Sequence, residues 1–236
     1  MKKEAFSRDS FGGGGDSKRR FIGNMHDPKA FKKLCRLGWD KTQITYRYNS
    51  EKFRSIEFEE PHNAIACFGC SHTLGEGVRQ EYRWSDVVAK TLDLKCYNFG
   101  VCGSGVNSHY ELVNKWVPII KPKAVFVFAS YHIRFDLYER GKRFAIHRQF
   151  GDQDKIQMQM WRKLISDDRN LSLNHKKSIE AIKYICLQLD IPCVIIKVDD
   201  YYQDVPFQAH ARDLQHPGED QHAHIANTML KEFYNA

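Results

Sequence analysis

Nowhere does the chain carry the roughly 20 consecutive apolar residues that a bilayer-spanning helix needs. Its amino-terminal stretch also lacks the charged, apolar and small-residue succession of a signal peptide, because Gly12 to Gly15 interrupt it. The expectation is a cytoplasmic protein with no membrane partner. No internal repeat is visible, which argues against a solenoid or propeller. Charge of one sign is also in short supply. Lys and Arg number 36 against 29 Asp and Glu, and the resulting +7 is spread among acids, as between Glu76 and Asp93. So small and scattered an excess gives little ground for a nucleic-acid partner. The seven cysteines are odd in number, and an intracellular chain keeps them as thiols. Cys67-x-x-Cys70, Cys96 and Cys102 do not supply the two tight loop pairs of a structural zinc site. No metal is expected.

What is present is an ordinary globular composition, 42% apolar and 28% charged over 236 residues. At this length about 70% of the unfolded chain's surface can be buried, so a core forms without staples. Residues 1–20 combine a glycine run with Lys18-Arg19-Arg20 and form a flexible basic tail. Residues 21–63 are an extension packed on the domain. It contains one short helix, Pro28 to Leu37, capped by Asp27, and a strand-like alternation from Gln43 to Tyr48.

From residue 64 to 236 the pattern is buried strand, loop, helix. Strands are predicted at Ala64–Phe68, Leu94–Tyr97, Ala124–Phe128 and Cys193–Ile196. Helices are predicted at Trp84–Leu92, Ser108–Val117 (ended by Pro118), Ser172–Leu189 and Pro217–Phe233. Short, nearly all-apolar strands alternating with helices indicate a mostly parallel sheet covered on both faces. The fold class is therefore α/β, a three-layer α/β/α sandwich of flavodoxin-like type.

The polar residues gather where such sheets bind ligands, at the carboxyl ends of the strands. Gly69-Cys70-Ser71-His72-Thr73-Leu74-Gly75 follows the first strand and Asn98-Phe99-Gly100-Val101-Cys102-Gly103 runs out of the second. Ser130-Tyr131-His132 follows the third. A serine nucleophile needs a base, and the base needs an orienting group. Asp213-Leu214-Gln215-His216-Pro217 offers both, three residues apart, just before the last helix.

In these residues the chain resembles the SGNH, or GDSL-type, hydrolases. Gly69 to Gly75 is similar to their first block, with Ser71 in the nucleophile's place. Asn98 to Gly103 is similar to the second, whose last glycine donates an oxyanion N–H. Asp213-x-x-His216-Pro217 matches the last block, with the orienting acid and the base. The resemblance runs over residues 64–233 and leaves 1–63 outside. It implies a serine esterase acting on small acyl esters, O-acetyl groups on carbohydrate among them, with Ser71, His216 and Asp213 catalytic. It implies an oxyanion site from the N–H groups of Ser71 and Gly103, and no cofactor. The partner is then a small-molecule or glycan ester.

Two positions depart from the family. Cys70 replaces the usual Asp, and Tyr131 falls where the third block has an Asn that donates to the oxyanion. Ser130 or His132 is the substitute donor, with His132 preferred for its reach. Loss of one such donor typically costs ~10²–10³ in rate. Acyl transfer by the same triad, and a catalytically silent binding module on this fold, therefore stand as alternatives.

Other signals have structural explanations. Gly100-x-x-Gly103-x-Gly105 has the wrong spacing, and no acid about 20 residues on, for a dinucleotide fingerprint. His222 and His224, two apart on a helix, cannot share a face and are expected at the solvent. Arg134 and Asp136 are expected to form an ion pair, with contact between Arg134 and an anionic substrate group as the alternative.

Overall fold

The computed structural model describes residues 24–42, 44–59, 63–139, 142–147 and 167–235. The predicted tail, residues 1–20, and Gln43 lie outside them. Helix α1, Pro28–Arg36, starts where the sequence places it: the Asp27 carboxylate accepts the N–H groups of Lys29 and Ala30. The alternation after it is real in burial, with Ile44 and Asn49 inside and Thr45 and Arg47 exposed, yet residues 44–49 form no strand. Among the described residues no strand lies beside them to complete a ladder.

Strand β1, Ala64–Gly69, is followed by the four-residue helix α2, Ser71–Leu74, then α3, Trp84–Thr91, and β2, Lys95–Gly100. Helix α4, Val106–Ile120, precedes β3, Ala124–Ala129. An antiparallel hairpin that the strand–helix pattern did not predict comes next, β4 at Arg134–Glu139 and β5 at Lys142–His147. Helix α5, Asp168–Gln188, leads to β6, Cys193–Lys197, then α6, Val198–Asp204, and α7, Glu219–Asn235. The four long-range strands pair in parallel in the order β2-β1-β3-β6.

Because side chains alternate along a strand, each strand feeds two cores. Ala64, Ala66 and Phe68 of β1, with Val125 and Val127 of β3, pack under α4 and α5 through Leu112, Trp116, Val117, Ile179 and Ile182. Ile65 and Cys67, with Phe126 and Phe128, pack on the other face under α3 and α7 through Trp84, Val88, Ile225 and Met229. The sheet is thus covered on both sides, as its apolar strands require.

Two expectations are corrected. Helix α4 runs through Pro118 to Ile120 instead of stopping before it. In the last turn a proline costs only one backbone bond, and burial of Trp116, Val117 and Ile120 carries the helix on to Lys121, which ends it at φ 43°. His222 does not face solvent. It is fully buried against α3, where its Nδ1 accepts the Trp84 N–H at 3.1 Å. His224, on the opposite side of α7, is exposed and bonded to the Tyr201 hydroxyl at 2.9 Å.

Two contacts of the extension bear on the turn after β1 and the core beside it. Phe53 enters the core beneath α4, edge-on to Phe99 at 5.1 Å. The fully buried Arg54 guanidinium, stacked 3.6 Å from the Tyr46 ring centre, donates to the carbonyls of Leu74, Gly75 and Val78. That places it directly under the turn that follows β1.

Candidate active site

Ser71 opens α2 immediately beyond β1. The turn can lie this low only because its neighbour strand has no side chain there. A Cβ on Gly100 would meet the Leu74 nitrogen at 2.1 Å, so only glycine admits the helix at this point. Asn98 joins the two loops: its amide nitrogen donates to the Thr73 carbonyl at 2.6 Å and to the Ser85 hydroxyl at 2.8 Å. Its amide oxygen accepts the Gly100 N–H at 2.9 Å. With Arg54 below, the Ser71 turn is held on three sides by groups that are themselves buried.

Asp213 and His216 come from the segment before α7. The Asp213 Oδ1 accepts the N–H groups of Gln215 and His216, closing a tight turn. Leu214 inside this turn is left-handed, with φ 56°, a conformation that a branched side chain adopts at a cost of about 1–3 kcal/mol. The turn returns the His216 ring to its own carboxylate, Nδ1 donating to Oδ2 at 2.6 Å. Burial pushes the Asp213 carboxyl up, but the His216 ring and the two backbone N–H groups outweigh it and hold the carboxyl below its ordinary value. Asp213 is therefore an acceptor for the imidazole, which leaves Nε2 as the nitrogen available to take a proton.

The His216 ring lies 6.1 Å from that of His72, the residue after Ser71. No hydrogen bond joins Ser71 to His216 among the described residues; such bonds often tighten only when substrate is present. Burial first, then the charges of His216 and Arg134, keeps His72 well below its ordinary value and hence neutral. Its ring is walled by Tyr131, Tyr202 and Phe207, with centroids at 6.5, 5.8 and 6.0 Å. The wall gives this rim an apolar, aromatic side.

Gly103 has φ 69°, which turns the loop after β2 in a way that side-chain-bearing residues resist. Among the described residues, no backbone acceptor takes the N–H of Ser71 or of Gly103. Beyond β3 the residues Ser130, Tyr131 and His132 divide. Ser130 is fully buried with its hydroxyl unpartnered. Tyr131 faces His72, the strand having ended at Ala129 before it. His132 is held elsewhere: its N–H and Nδ1 both engage Asp199 of α6, at 2.8 and 3.0 Å. No described contact links it to Ser71, His72 or His216.

Glu76 was not singled out from the sequence. It is buried, accepts the Cys102 thiol at 3.2 Å, and has an oxygen within 4.8 Å of ligand atoms of Asp213 and His216. Its position five residues past Ser71 was the available signal. Among the described residues these three donors could hold a metal ion. A cation there would compete for the imidazole or its carboxylate. The expected Arg134–Asp136 pair does not form. Asp136 takes Arg143 instead, at 2.7 Å: Arg143 pairs with Tyr138 across the hairpin, which makes it the diagonal neighbour of Asp136, and it also reaches the Cys102 carbonyl at 2.9 Å.

No protein-family model matches the chain, and no curated protein matches it. Among solved structures it is similar to a member of the lipolytic protein G-D-S-L family from Veillonella parvula DSM 2008. The two are 17% identical over 73% of this chain and 99% of that one, with a TM-score of 0.38. It is also similar to the psychrotrophic esterase EstA from Pseudoalteromonas sp., at 13% identity over 74% of this chain and 100% of the other, with a TM-score of 0.36. Likenesses of this strength leave the functional argument to the chain's own geometry.

Proposed function

We propose that this chain is a serine ester hydrolase in which Ser71 is the nucleophile, His216 the base and Asp213 the group that orients it. The observation that carries the reading is the 2.6 Å Asp213–His216 bond, whose ring stands 6.1 Å from the ring beside Ser71. In the first half-reaction the Ser71 Oγ attacks the ester carbonyl while His216 Nε2 takes its proton. The N–H groups of Ser71 and Gly103 receive the oxyanion. The tetrahedral adduct collapses as His216 returns the proton to the leaving alcohol. Water, activated by the same nitrogen, then releases the acyl group from Ser71. Asp213 stays ionised throughout and stabilises the imidazolium. The aromatic wall of Tyr131, Tyr202 and Phe207 favours a small ester over a highly solvated polymer backbone.

The test is labelling by a fluorophosphonate followed by peptide mapping, together with turnover of 4-nitrophenyl acetate. The expected adduct is on Ser71, and Ser71→Ala should lose nearly all turnover with its melting temperature preserved. Full activity in Ser71→Ala would refute the assignment.

A further inference from the structure

The hairpin leaves one cation unanswered beside this site. Arg134 opens β4, and its guanidinium carbon lies 5.1 Å from the centre of the Tyr131 ring, which in turn stands 6.5 Å from His72. Its backbone abuts the loop that carries Gly103: a Cβ on Gly105 would meet the Arg134 carbonyl oxygen at 2.9 Å. The NH1 of Arg134 is buried and has no hydrogen-bond partner. Asp136, two residues along the same strand, and Asp199, which holds the neighbouring His132, are already engaged. Asp136 accepts Arg143 through Oδ1, and the Gly105 N–H and Ser108 hydroxyl through Oδ2, each at 2.6–2.7 Å.

The remaining polar neighbours cannot answer the charge. Burial, then His175, Arg134 and Arg143, push His109 down to about 3, so its ring is neutral. The Ser104 hydroxyl donates to the Val101 carbonyl at 2.8 Å, so it accepts from His109 Nε2 at 3.0 Å. His109 Nδ1 and the Ser130 hydroxyl have no hydrogen-bond partner, so neither takes the Arg134 N–H. A buried guanidinium N–H without an acceptor is costly, and its planar fork suits a bidentate oxyanion.

We propose that Arg134 is the specificity-determining residue of this site and that the ester it takes carries an anionic group, of carboxylate type, seated against the Arg134 guanidinium. The inference rests on the ester-hydrolase reading for its substrate, but the anion site itself can be read without turnover.

Ser71→Ala protein is titrated calorimetrically with three esters: uncharged dimethyl succinate, monomethyl succinate with its charge on the acyl side, and acetoxyacetate with its charge on the alcohol side. At least one charged ester should bind about tenfold or more tightly than the neutral one, and the arm that does so identifies the side. Adding Arg134→Gln should bring that ratio near one, and Arg134→Lys should restore part of it; circular dichroism and melting check both folds. If Arg134→Gln does not fold, the charged-to-neutral ratio in Ser71→Ala alone decides. Equal binding of all three esters, or a preference untouched by Arg134→Gln, overturns the proposal. An Arg134-dependent preference in a wild-type protein that hydrolyses none of the three would sink the hydrolase reading and leave the anion site standing.

Discussion

At the scale of single residues, the site depends on one short hydrogen bond and on the turn that makes it. Asp213→Asn keeps the size of the side chain but removes the charge that fixes the imidazole tautomer, so ester turnover should fall by about 10³–10⁴. Steady-state rates on 4-nitrophenyl acetate would show it, and a loss under tenfold would mean that His216 is oriented by something else. Glu76 is the neighbour to examine in that event, given its place within 4.8 Å of the pair. His132 offers the opposite case. Its reach made it the preferred substitute for the absent Asn, but Asp199 holds both its N–H and its ring. His132→Ala should therefore change kcat by less than about threefold, whereas a fall of 10²–10³ is what removal of an oxyanion donor produces.

At the scale of elements, the segment before the sheet does more than cover it. The loop that ends in Asp213 and His216 is tied to this segment by four described bonds: Asn24 to the Asp213 carbonyl at 2.9 Å, Lys33 to the Ala209 carbonyl at 2.9 Å, the Trp39 indole to the His210 carbonyl at 2.6 Å and Arg212 to the Thr42 carbonyl at 3.4 Å. On the other side Phe53 and Arg54 reach beneath α4 and the Ser71 turn. Both halves of the site are thus braced from outside the sheet. Deleting residues 1–60 strips a buried aromatic from the core, a loss of about 3–5 kcal/mol by itself, and empties the carbonyl cage around Arg54. The product should be insoluble or fail to melt cooperatively. A soluble protein with a sharp calorimetric transition would show that the segment is dispensable to the fold.

At the scale of the molecule, several buried histidines set the response to acid. Burial, with nearby positive charges, pushes His109 and His222 down to about 3, while an unfolded histidine titrates near ~6.5. Between those values the unfolded chain binds protons that the folded chain refuses, so stability falls as the pH falls. Each such histidine should weaken the folding constant about tenfold per pH unit through that window. The lowered Asp213 carboxyl acts in the same direction, its contribution being lost lower still as the carboxyl protonates. Denaturant melts from pH 7 to pH 4 should show the decline, and His222→Asn, which retains an acceptor for the Trp84 N–H, should flatten it by about one proton. An unchanged slope in that variant would place the titration elsewhere.

The layered α/β architecture was legible in the chain alone because it rests on local patterning. Ala124 to Phe128 has no polar residue, so it must be covered on both faces, and the apolar period of residues 179 to 189 commits that stretch to a helix against them. The polar clusters behind Phe68, Tyr97 and Phe128 could likewise be assigned to one rim, since parallel strands end on the same side. The pairing of Asp213 with His216 was suggested by a spacing of three, but only the left-handed Leu214 makes that spacing a contact. Partner choice was beyond the reach of sequence. Arg134 and Asp136, two apart, share a face of β4, yet the antiparallel hairpin delivers Arg143 to Asp136 instead. His222 and His132 were decided in the same way, by what α3 and α6 place opposite them. Periodicity fixes which face of an element is apolar; which charge meets which is fixed by long-range packing, and no local pattern encodes it.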